Sequence, residues 1–269
     1  MRKLIRRLFI ISILLFAVYI LSGLPDSAQL PKAAKDTLRI ATLNINYRNQ
    51  SDDEIEAFIR QNELDVILIV EYTKWTTFPD LLKDKYTIAC AYPANTHGLA
   101  LLYRKDLDVS ASIEPIPVKV VCNMPFVAAT IGWNGKKFSL LGPHAPPPVP
   151  RCGFTTDKVL KAYSDLIQDG KLKRPVGKAE NEKPLILLGD LNAFPVQSGI
   201  SALKDAGMAD AWTGNRWGTG LSWAPIKGLF ALARIDYIMH GSAIEVETIY
   251  NTNLPGSDHN AIIADIRLR

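Results

Sequence analysis

Six groups of polar residues stand at the ends of apolar runs in this 269-residue chain. Apolar runs rich in Ile, Val and Leu are typical of strands covered on both faces. Enzymes built on sheets place reactive side chains in the loops at strand ends. Carboxylates, amides and imidazoles are the side chains that bind divalent cations and transfer protons. The groups are, in chain order, Asn44, Glu71, His144, Asp190 with Asn192, Asp236, and Asp258 with His259.

Each group also has a simpler interpretation when it is taken alone. Asp190 and Asn192 follow a glycine, and such residues often form a turn by hydrogen bonding to their own backbone. Glu71 can be a solvated residue at the rim of a sheet, and Ser257-Asp258-His259 can simply begin a strand. These interpretations do not explain why six groups recur in this position. Strands lying side by side would bring all six together.

The elements that must position these groups are predicted by the spacing of apolar residues. Helix patterns begin at Ser51, which can form a capping box with Glu54, at Thr155 or Thr156, and at Ser198. Helices packed outside two sheets would account for this mixture. The eight predicted strands are Thr37–Asn44, Val66–Glu71, Leu99–Arg104, Phe126–Ile131, Phe138–Gly142, Leu185–Gly189, Ile235–His240 and Ala261–Arg267.

The arrangement and order of these groups resemble those of the endonuclease/exonuclease/phosphatase superfamily, whose members are deoxyribonuclease I-like. The match spans Leu38 to Arg269. It rests on Thr42-Leu43-Asn44, Glu71, Pro143-His144, Gly189-Asp190-Leu191-Asn192, Ile235-Asp236-Tyr237 and Ser257-Asp258-His259. The resemblance implies an α/β (α+β) fold, a four-layer α/β/β/α sandwich. It also implies a hydrolase of phosphate esters, foremost a phosphodiesterase, that uses Mg²⁺ or, as a substitute, Mn²⁺. Its substrate would be nucleic acid, a phospholipid headgroup or a small phosphodiester.

The resemblance also implies a metal site. Glu71 would bind the cation, Asn44 would orient that carboxylate or join the metal site, and Asp258 would add a further oxygen. Hard divalent cations prefer such oxygen ligands. Asn46 stands where many abasic-site nucleases carry an acid, so that second metal-binding carboxylate is missing here.

Five residues receive catalytic roles from the same resemblance. Asp190 would position or deprotonate the attacking water, and Asn192 would hold a phosphate oxygen. Asp236 would orient the ring of His259 and favour its cationic form. His259 would contact the scissile phosphate or act as a general base, two roles that the sequence leaves open. His144 would donate to the phosphate or to the leaving oxygen.

Four further residues have two interpretations each. Trp217 and Trp223, in the long segment Gly214–Ala233, can contact substrate, because long loops in compact domains often bind it. Arg234 can contact a substrate phosphate or form a surface salt bridge. His97 precedes a predicted strand and can reach the site, although we interpret His97-Gly98 as a structural turn. The polar, lysine-rich segment 170–183 is interpreted as a solvated surface loop.

The net positive charge of the chain comes entirely from its N-terminus. Four basic residues lie within the first seven positions, and the rest of the chain holds 27 basic and 27 acidic residues. Proteins that neutralise several phosphates usually have a basic domain. The charge therefore does not support a dedicated duplex-DNA binder. No protein partner is indicated.

A hydrophobic segment follows the basic cluster. Residues 8–21 are apolar except for Ser12, and the stretch continues towards Pro25, so about 17 residues can sit in hydrocarbon. We expect residues 1–25 to form an uncleaved signal-anchor, a transmembrane helix. Residues 26–36 would be a tether and 37–269 the catalytic domain. The basic residues place that domain on the periplasmic, extracytoplasmic side. Secretion after signal cleavage is the alternative.

The three cysteines, Cys90, Cys122 and Cys152, lack the spacing of a zinc site. Outside the cytoplasm Cys122 and Cys152 can form a disulfide. The alternative is that all three are small core residues, and the sequence leaves both interpretations open. A further alternative concerns the whole chain, which can be a non-catalytic binding or scaffold module on the same fold. The presence of Glu71 and Asp190 argues against that module.

Overall fold

The computed structural model describes residues 2–27, 29–169 and 184–269. The segment 170–183, predicted to be a solvated loop, lies outside the described residues. The helices of the described part are α1 (Arg2–Leu21), α2 (Asp52–Gln61), α3 (Phe78–Leu81), α4 (Thr156–Gln168), α5 (Ser198–Asp205) and α6 (Ala211–Asn215).

Two six-stranded sheets form the centre of the molecule. The first has the order β11-β12-β1-β2-β4-β3 and the second the order β5-β6-β7-β8-β10-β9. The strands are β1 (Leu38–Asn44), β2 (Val66–Val70), β3 (Tyr86–Tyr92), β4 (Leu99–Arg104), β5 (Asp108–Glu114), β6 (Phe126–Trp133), β7 (Lys136–Pro143), β8 (Leu185–Asp190), β9 (Ala209–Asp210), β10 (Asp236–His240), β11 (Ile244–Asn253) and β12 (Asn260–Leu268).

Three apolar cores separate four layers. The central core lies between the sheets and contains Leu68 and Leu188. A second core packs α4 and α5 on the outer face of the second sheet, through residues such as Leu160 and Ile200. A third packs α2 and α3 on the outer face of the first sheet. The four-layer α/β/β/α sandwich expected from the sequence is therefore confirmed.

The strand directions bring the polar groups to one edge. In the first sheet β1 and β2 are parallel, so their last residues lie together, and β12 is antiparallel to β1, so its first residue joins them. In the second sheet β7 and β8 are parallel, and β10 is antiparallel to β8 with Asp236 opposite Asp190. All six strand ends therefore face the same end of the sandwich.

Gly189 allows the second sheet to close at this edge. A Cβ atom at this position would lie 2.1 Å from the carbonyl oxygen of Pro143. No other residue tolerates so close a backbone approach. The next residues along each strand are His144 and Asp190, which form a parallel bridge. The glycine thus allows these two side chains to be neighbours.

All eight predicted strands are present, and the structure adds four others. The added strands β3, β5, β9 and β11 are the outermost strands of the two sheets. An outer strand has one side open to solvent, and β5 accordingly alternates exposed and half-buried residues. It therefore lacks the continuous apolar run that marks a buried strand.

The predicted capping box at the start of α2 does not form. Ser51 is the N-cap residue, as expected, but its side chain makes no capping hydrogen bond. The first turn instead carries three acidic residues, 52–54, which favour the N-terminal end of the helix dipole.

The predicted transmembrane helix is not supported. Where the chain is described, no helix is both apolar enough and long enough to pass through a bilayer. Residues 2–21 do form a helix, α1.

The segment 26–36, expected to be a tether, packs against the domain at its first residues. Asp26 pairs with Arg216 and accepts a hydrogen bond from the backbone of Asn251 at 2.9 Å. Leu30 is buried, and its backbone donates to Asn62 Oδ1 at 2.9 Å. These contacts fix the end of α1 relative to the sheets.

A disulfide joins Cys122 to Cys152, with 5.1 Å between their Cα atoms. The structure therefore supports the pairing and leaves Cys90 as a free, half-buried cysteine. The bond ties the segment before β6 to the 3-10 turn Pro150–Cys152 that precedes α4.

Candidate active site

One amide group joins the two sheets at the polar edge. The Nδ2 atom of Asn44 lies 3.3 Å from Glu71 Oε1, 3.1 Å from Asp190 Oδ2 and 3.3 Å from His259 Nε2. Its Oδ1 accepts a hydrogen bond from the backbone of Asn46, which fixes the orientation of the amide. Asn44 therefore presents its nitrogen to the two carboxylates and positions them.

Glu71 faces this amide from the end of β2. Its other oxygen, Oε2, accepts a hydrogen bond from the backbone N–H of Tyr47 at 2.9 Å. Burial raises the pKa of Glu71, because the charged form loses water. Glu71, Asn46 and Asn192 all adopt positive φ angles, which non-glycine residues rarely do. Such strain is concentrated at functional sites.

Asp236 and His259 form a buried pair. The distance from His259 Nδ1 to Asp236 Oδ2 is 2.8 Å, and Ser222 Oγ donates to the same oxygen at 2.7 Å. Burial lowers the pKa of His259, but the charge and hydrogen bond of Asp236 and the charge of Asp190 outweigh it and raise the pKa to about 10. The imidazole is therefore a cation near neutral pH, and its Nε2–H is a donor that lies 3.3 Å from the Asn44 amide nitrogen without a hydrogen bond between them.

Asp190 occupies the centre of the site. Its Oδ1 accepts from the backbone of Asn192 at 2.9 Å, and Asn192 Nδ2 in turn donates to the carbonyl of Ala145 at 2.9 Å. Burial, followed by the negative charge of Asp236, raises the pKa of Asp190. Its protonation is therefore closer to neutral pH than that of an ordinary aspartate, which suits a group that exchanges a proton.

His144 lies beside Asp190, with 3.7 Å between its Nε2 and Asp190 Oδ2. Burial, and then the charges of His97 and His259, lower the pKa of His144 well below its ordinary value. The imidazole is therefore neutral, and the contact is not an ion pair. Its buried Nδ1 has no hydrogen-bond partner among the described residues.

A cavity of about 400 Å³ opens over these side chains. Among the residues predicted for the site, those that line it are Glu71, His144, Asp190, Asn192, Trp223, Asp258 and His259. Asn44 and Asp236 lie behind this lining and hold it in place. Apolar residues line the cavity as well, among them Val149, Phe194 and Ile235.

The carboxylates suit a divalent cation of the Mg²⁺ type. Glu71 and Asp258 present oxygens to the cavity, and burial raises the pKa of Glu71, a cost that a bound cation would offset. Both oxygens of Asp258 already accept hydrogen bonds, from Asn46 Nδ2 and Trp223 Nε1. Both oxygens of Glu71 accept hydrogen bonds as well, from Asn44 Nδ2 and the backbone of Tyr47, so each oxygen of the two carboxylates keeps a further lone pair for a cation.

A second set of atoms has metal-ligand spacing. Ligand atoms of Asp190, Asp236 and His259 lie within 4.8 Å of one another. Asp236 Oδ2, however, is already bonded to His259 and Ser222. We therefore interpret Asp236 and His259 as a hydrogen-bonded pair and not as metal ligands.

Two of the predicted substrate-binding residues do not reach the cavity. Arg234 is buried and forms an ion pair with Asp210, with 2.6 Å between Nη2 and Oδ2. It is neither a substrate contact nor a surface salt bridge, because Asp210 occupies its guanidinium. Trp217 is 81% exposed and does not line the cavity, whereas Trp223 does.

Several residues at the site were not predicted from the sequence. Ser222 holds Asp236 through its hydroxyl group, and Arg151 lines the mouth of the cavity. No sequence signal marks a single serine or arginine in a loop. His97, interpreted as part of a turn, lines the cavity as well. Its neighbour Gly98 does form a tight turn, since a Cβ atom there would lie 1.7 Å from the carbonyl of Tyr72.

The model of the endonuclease/exonuclease/phosphatase family matches residues 41–259, which include every polar group described above. The chain belongs to the endonuclease/exonuclease/phosphatase family. No curated protein matches the sequence.

Solved structures of distant proteins share the fold of this family member. The 3′ phosphatase NExo from Neisseria, bound to a product DNA hairpin, is 17% identical with a TM-score of 0.67, covering 84% of this chain and 98% of its own. The human nocturnin catalytic domain, with bound sulfate, is 18% identical with a TM-score of 0.66. The match covers 88% of this chain and 97% of the nocturnin chain. A mannosyl-6-phosphatase from Bacteroides thetaiotaomicron is 17% identical with a TM-score of 0.61. The match covers 85% of this chain and 99% of the phosphatase chain.

The pairing of His259 with Asp236 predicts a titration and a pH-dependent stability. In the metal-free protein we expect NMR to show His259 titrating near pH 10, and Asp236→Asn to lower that pKa, because Asp236 raises it both by its charge and by its hydrogen bond. Because the folded-state pKa is raised, the stabilisation is fully present below about pH 6.5 and disappears as the pH rises through about 10. Asp236→Asn should therefore lower the free energy of unfolding most at low pH, by about 3 kcal/mol.

The matched control is Asp205→Asn, which removes an exposed carboxylate from α5. This variant should leave the titration of His259 unchanged. A His259 that still titrates near pH 10 in Asp236→Asn would contradict the assignment of Asp236 as its partner.

Proposed function

We propose that this family member is a divalent-metal-dependent hydrolase of phosphate esters, foremost a phosphodiesterase. The observation that carries the proposal is the contact of one amide, Asn44 Nδ2, with Glu71, Asp190 and His259. A metal-binding carboxylate, a base and a cationic imidazole thus meet at one cavity. These are the groups that hydrolysis of a phosphate ester requires.

His259 binds the scissile phosphate in this proposal. Its imidazole carries a positive charge near neutral pH, so Nε2 is a hydrogen-bond donor and not a proton acceptor. This favours phosphate contact over the general-base role that the sequence left open. Asp236 and Ser222 keep the ring in place from behind.

Asp190 receives the proton of the attacking water. The water oxygen attacks phosphorus, its proton passes to the Asp190 carboxylate, the ester P–O bond breaks, and the leaving oxygen takes up a proton from solvent water. Asn192 and His144 line the same cavity and would hold phosphate oxygens. A divalent cation bound at Glu71, Mg²⁺ or Mn²⁺, would neutralise charge on the phosphate and the leaving oxygen.

The proposal names one reaction but a broad class of substrates, which includes nucleic acids, phospholipid headgroups and small phosphodiesters. The 27 basic and 27 acidic residues after position 7 give no excess charge for gripping a long nucleic acid. Among the structures of similar fold, one protein was bound to a product DNA hairpin and another is a mannosyl-6-phosphatase. The apolar residues Val149, Phe194 and Ile235 in the cavity lining favour a substrate with a base, an acyl chain or another apolar group beside the phosphate.

The proposal predicts metal-dependent turnover of a phosphate diester. The full chain should hydrolyse bis-p-nitrophenyl phosphate with Mg²⁺ or Mn²⁺, lose activity in EDTA and regain it when metal returns. Asp190→Asn and His259→Ala should each lower kcat at least ~100-fold, as expected for positioned acid–base groups. Plasmid DNA, sphingomyelin and inositol phosphates, assayed in parallel, separate the substrate classes.

His240→Gln is the control, because it removes an imidazole from the far end of β10. It should retain full activity. Turnover that survives exhaustive chelation would remove the metal from the mechanism, and an unchanged rate in Asp190→Asn would remove that carboxylate.

We also propose that the domain acts outside the cytoplasm, attached through its N-terminal segment or released after cleavage. The support is the Cys122–Cys152 disulfide, because disulfides persist in oxidising compartments and are rare in the cytosol. The exposed apolar side chains of α1, such as Phe9 and Leu15, support an attachment to lipid.

This location predicts the redox state of the cysteines in cells. When thiols are alkylated at once on lysis and the protein is then denatured, Cys122 and Cys152 should stay unlabelled until a reductant is added. Cys90 should label without reductant, which makes it an internal control. Complete labelling of all three cysteines without reductant would contradict the proposed location.

A further inference from the structure

A row of nitrogen-bearing side chains leads from Asp190 to the mouth of the cavity. His144 lies next to Asp190, and the ring of His97 meets the ring of His144 edge to face, with 5.1 Å between centroids. Burial, followed by the positive charge of Arg151, lowers the pKa of His97. His144, His97 and Arg151 all line the cavity.

The outer two members of this row have no hydrogen-bond or ion-pair partner for their side chains among the described residues. The Nδ1 atom of His97 is buried without a hydrogen-bond partner among the described residues. Arg151 is exposed, and no carboxylate in the described part of the chain pairs with it. Arg234, by contrast, is committed to Asp210. A guanidinium that lines a cavity without a carboxylate partner is a ready site for an anion.

The chain holds Arg151 on a rigid turn. Its neighbour Cys152 is fully buried and is joined to Cys122 by the disulfide. Gly153 ends the turn with a φ of 65°, and Thr155 Oγ1 donates to the carbonyl of Cys152 at 2.9 Å. The backbone of Arg151 is therefore fixed on both sides, and only its side chain must be ordered when a ligand binds.

Charge divides the cavity into two parts. Glu71, Asp190 and Asp258 place three carboxylates at the strand ends, beside the single cationic imidazole of His259. Among the described residues that line the cavity, Arg151 is the sole lysine or arginine. If a substrate carries a second negative group beyond the scissile phosphate, the carboxylates would repel that group and Arg151 at the cavity mouth would attract it.

We propose that Arg151 and His97 form a binding subsite for a second phosphate group of the substrate. This subsite rests on the proposed function, since it selects among phosphate esters at the same cavity. Arg151 is a specificity residue here: it binds the second phosphate and takes no part in breaking the ester bond. The substrates favoured are compact phosphate esters with two phosphates, such as a nucleoside bisphosphate unit.

Two probes that differ only in the second phosphate test the subsite. Thymidine 5′-(p-nitrophenyl phosphate) has the scissile diester alone, and its 3′-phosphate derivative adds the second group. The wild-type chain should show a KM about tenfold lower for the bisphosphate probe, as expected for one charged hydrogen-bonded contact. Arg151→Gln should abolish this difference, and Arg151→Lys should retain part of it. The kcat for the simple probe should not change in either variant.

Lys158→Gln is the matched control, because it removes one positive charge from the neighbouring helix α4 outside the cavity lining. It should preserve the tenfold preference, whereas a loss there would indicate general attraction to the surface. His97→Gln should weaken the preference while sparing kcat on the simple probe.

Calorimetry separates failure of the subsite from failure of the proposed function. Thymidine 3′,5′-bisphosphate should bind about tenfold more tightly than thymidine 5′-phosphate, and Arg151→Gln should equalise them. Equal affinities in the wild-type chain, or a preference that survives Arg151→Gln, would overturn the subsite even if turnover is normal. A preference in binding without turnover of either probe would overturn the proposed function and leave the subsite standing.

Discussion

The contact of the Asn44 amide with groups from both sheets is the interaction on which the site depends. Its nitrogen donates to Glu71 in the first sheet and to Asp190 in the second, and it lies 3.3 Å from His259 Nε2. The amide can do this because its oxygen is held by the backbone of Asn46, so the nitrogen has one direction to face. The two sheets are thereby aligned at the edge where the chemistry would occur, and not only in their apolar core.

The site gathers buried charge that the fold must compensate. Removing a carboxylate from water is costly, and pairing or hydrogen bonding has to offset that cost. Asp236 is compensated by His259 and Ser222, whereas burial raises the pKa values of Glu71 and Asp190. The pattern is one of a stable ion pair, His259 with Asp236, beside carboxylates that a bound cation would stabilise. A purely structural network would be expected to neutralise all of its acids internally.

The sequence predicted the interior of this fold better than its borders. Buried central strands are continuous apolar runs, so all eight were found, whereas the four outer strands are partly polar and were missed. The groups at the ends of the central strands were found for the same reason. The buried ion pair of Arg234 was not foreseen, because its partner, Asp210, lies 24 residues away in sequence. Arg151 and Ser222 act from irregular loops, where position depends on tertiary contacts that no periodicity records.

The central claim is that Glu71 and Asp190 share one cavity with a bound cation. Crystals of the protein grown with Mn²⁺ test it directly through anomalous scattering. The account predicts one strong peak inside the cavity, with a Glu71 carboxylate oxygen in the first coordination sphere of the metal and Asp190 and His259 facing the same space. A Mn²⁺ peak outside the cavity would contradict it. The absence of any peak at saturating Mn²⁺, in a structure where Glu71 turns away from Asn44, would contradict it as well.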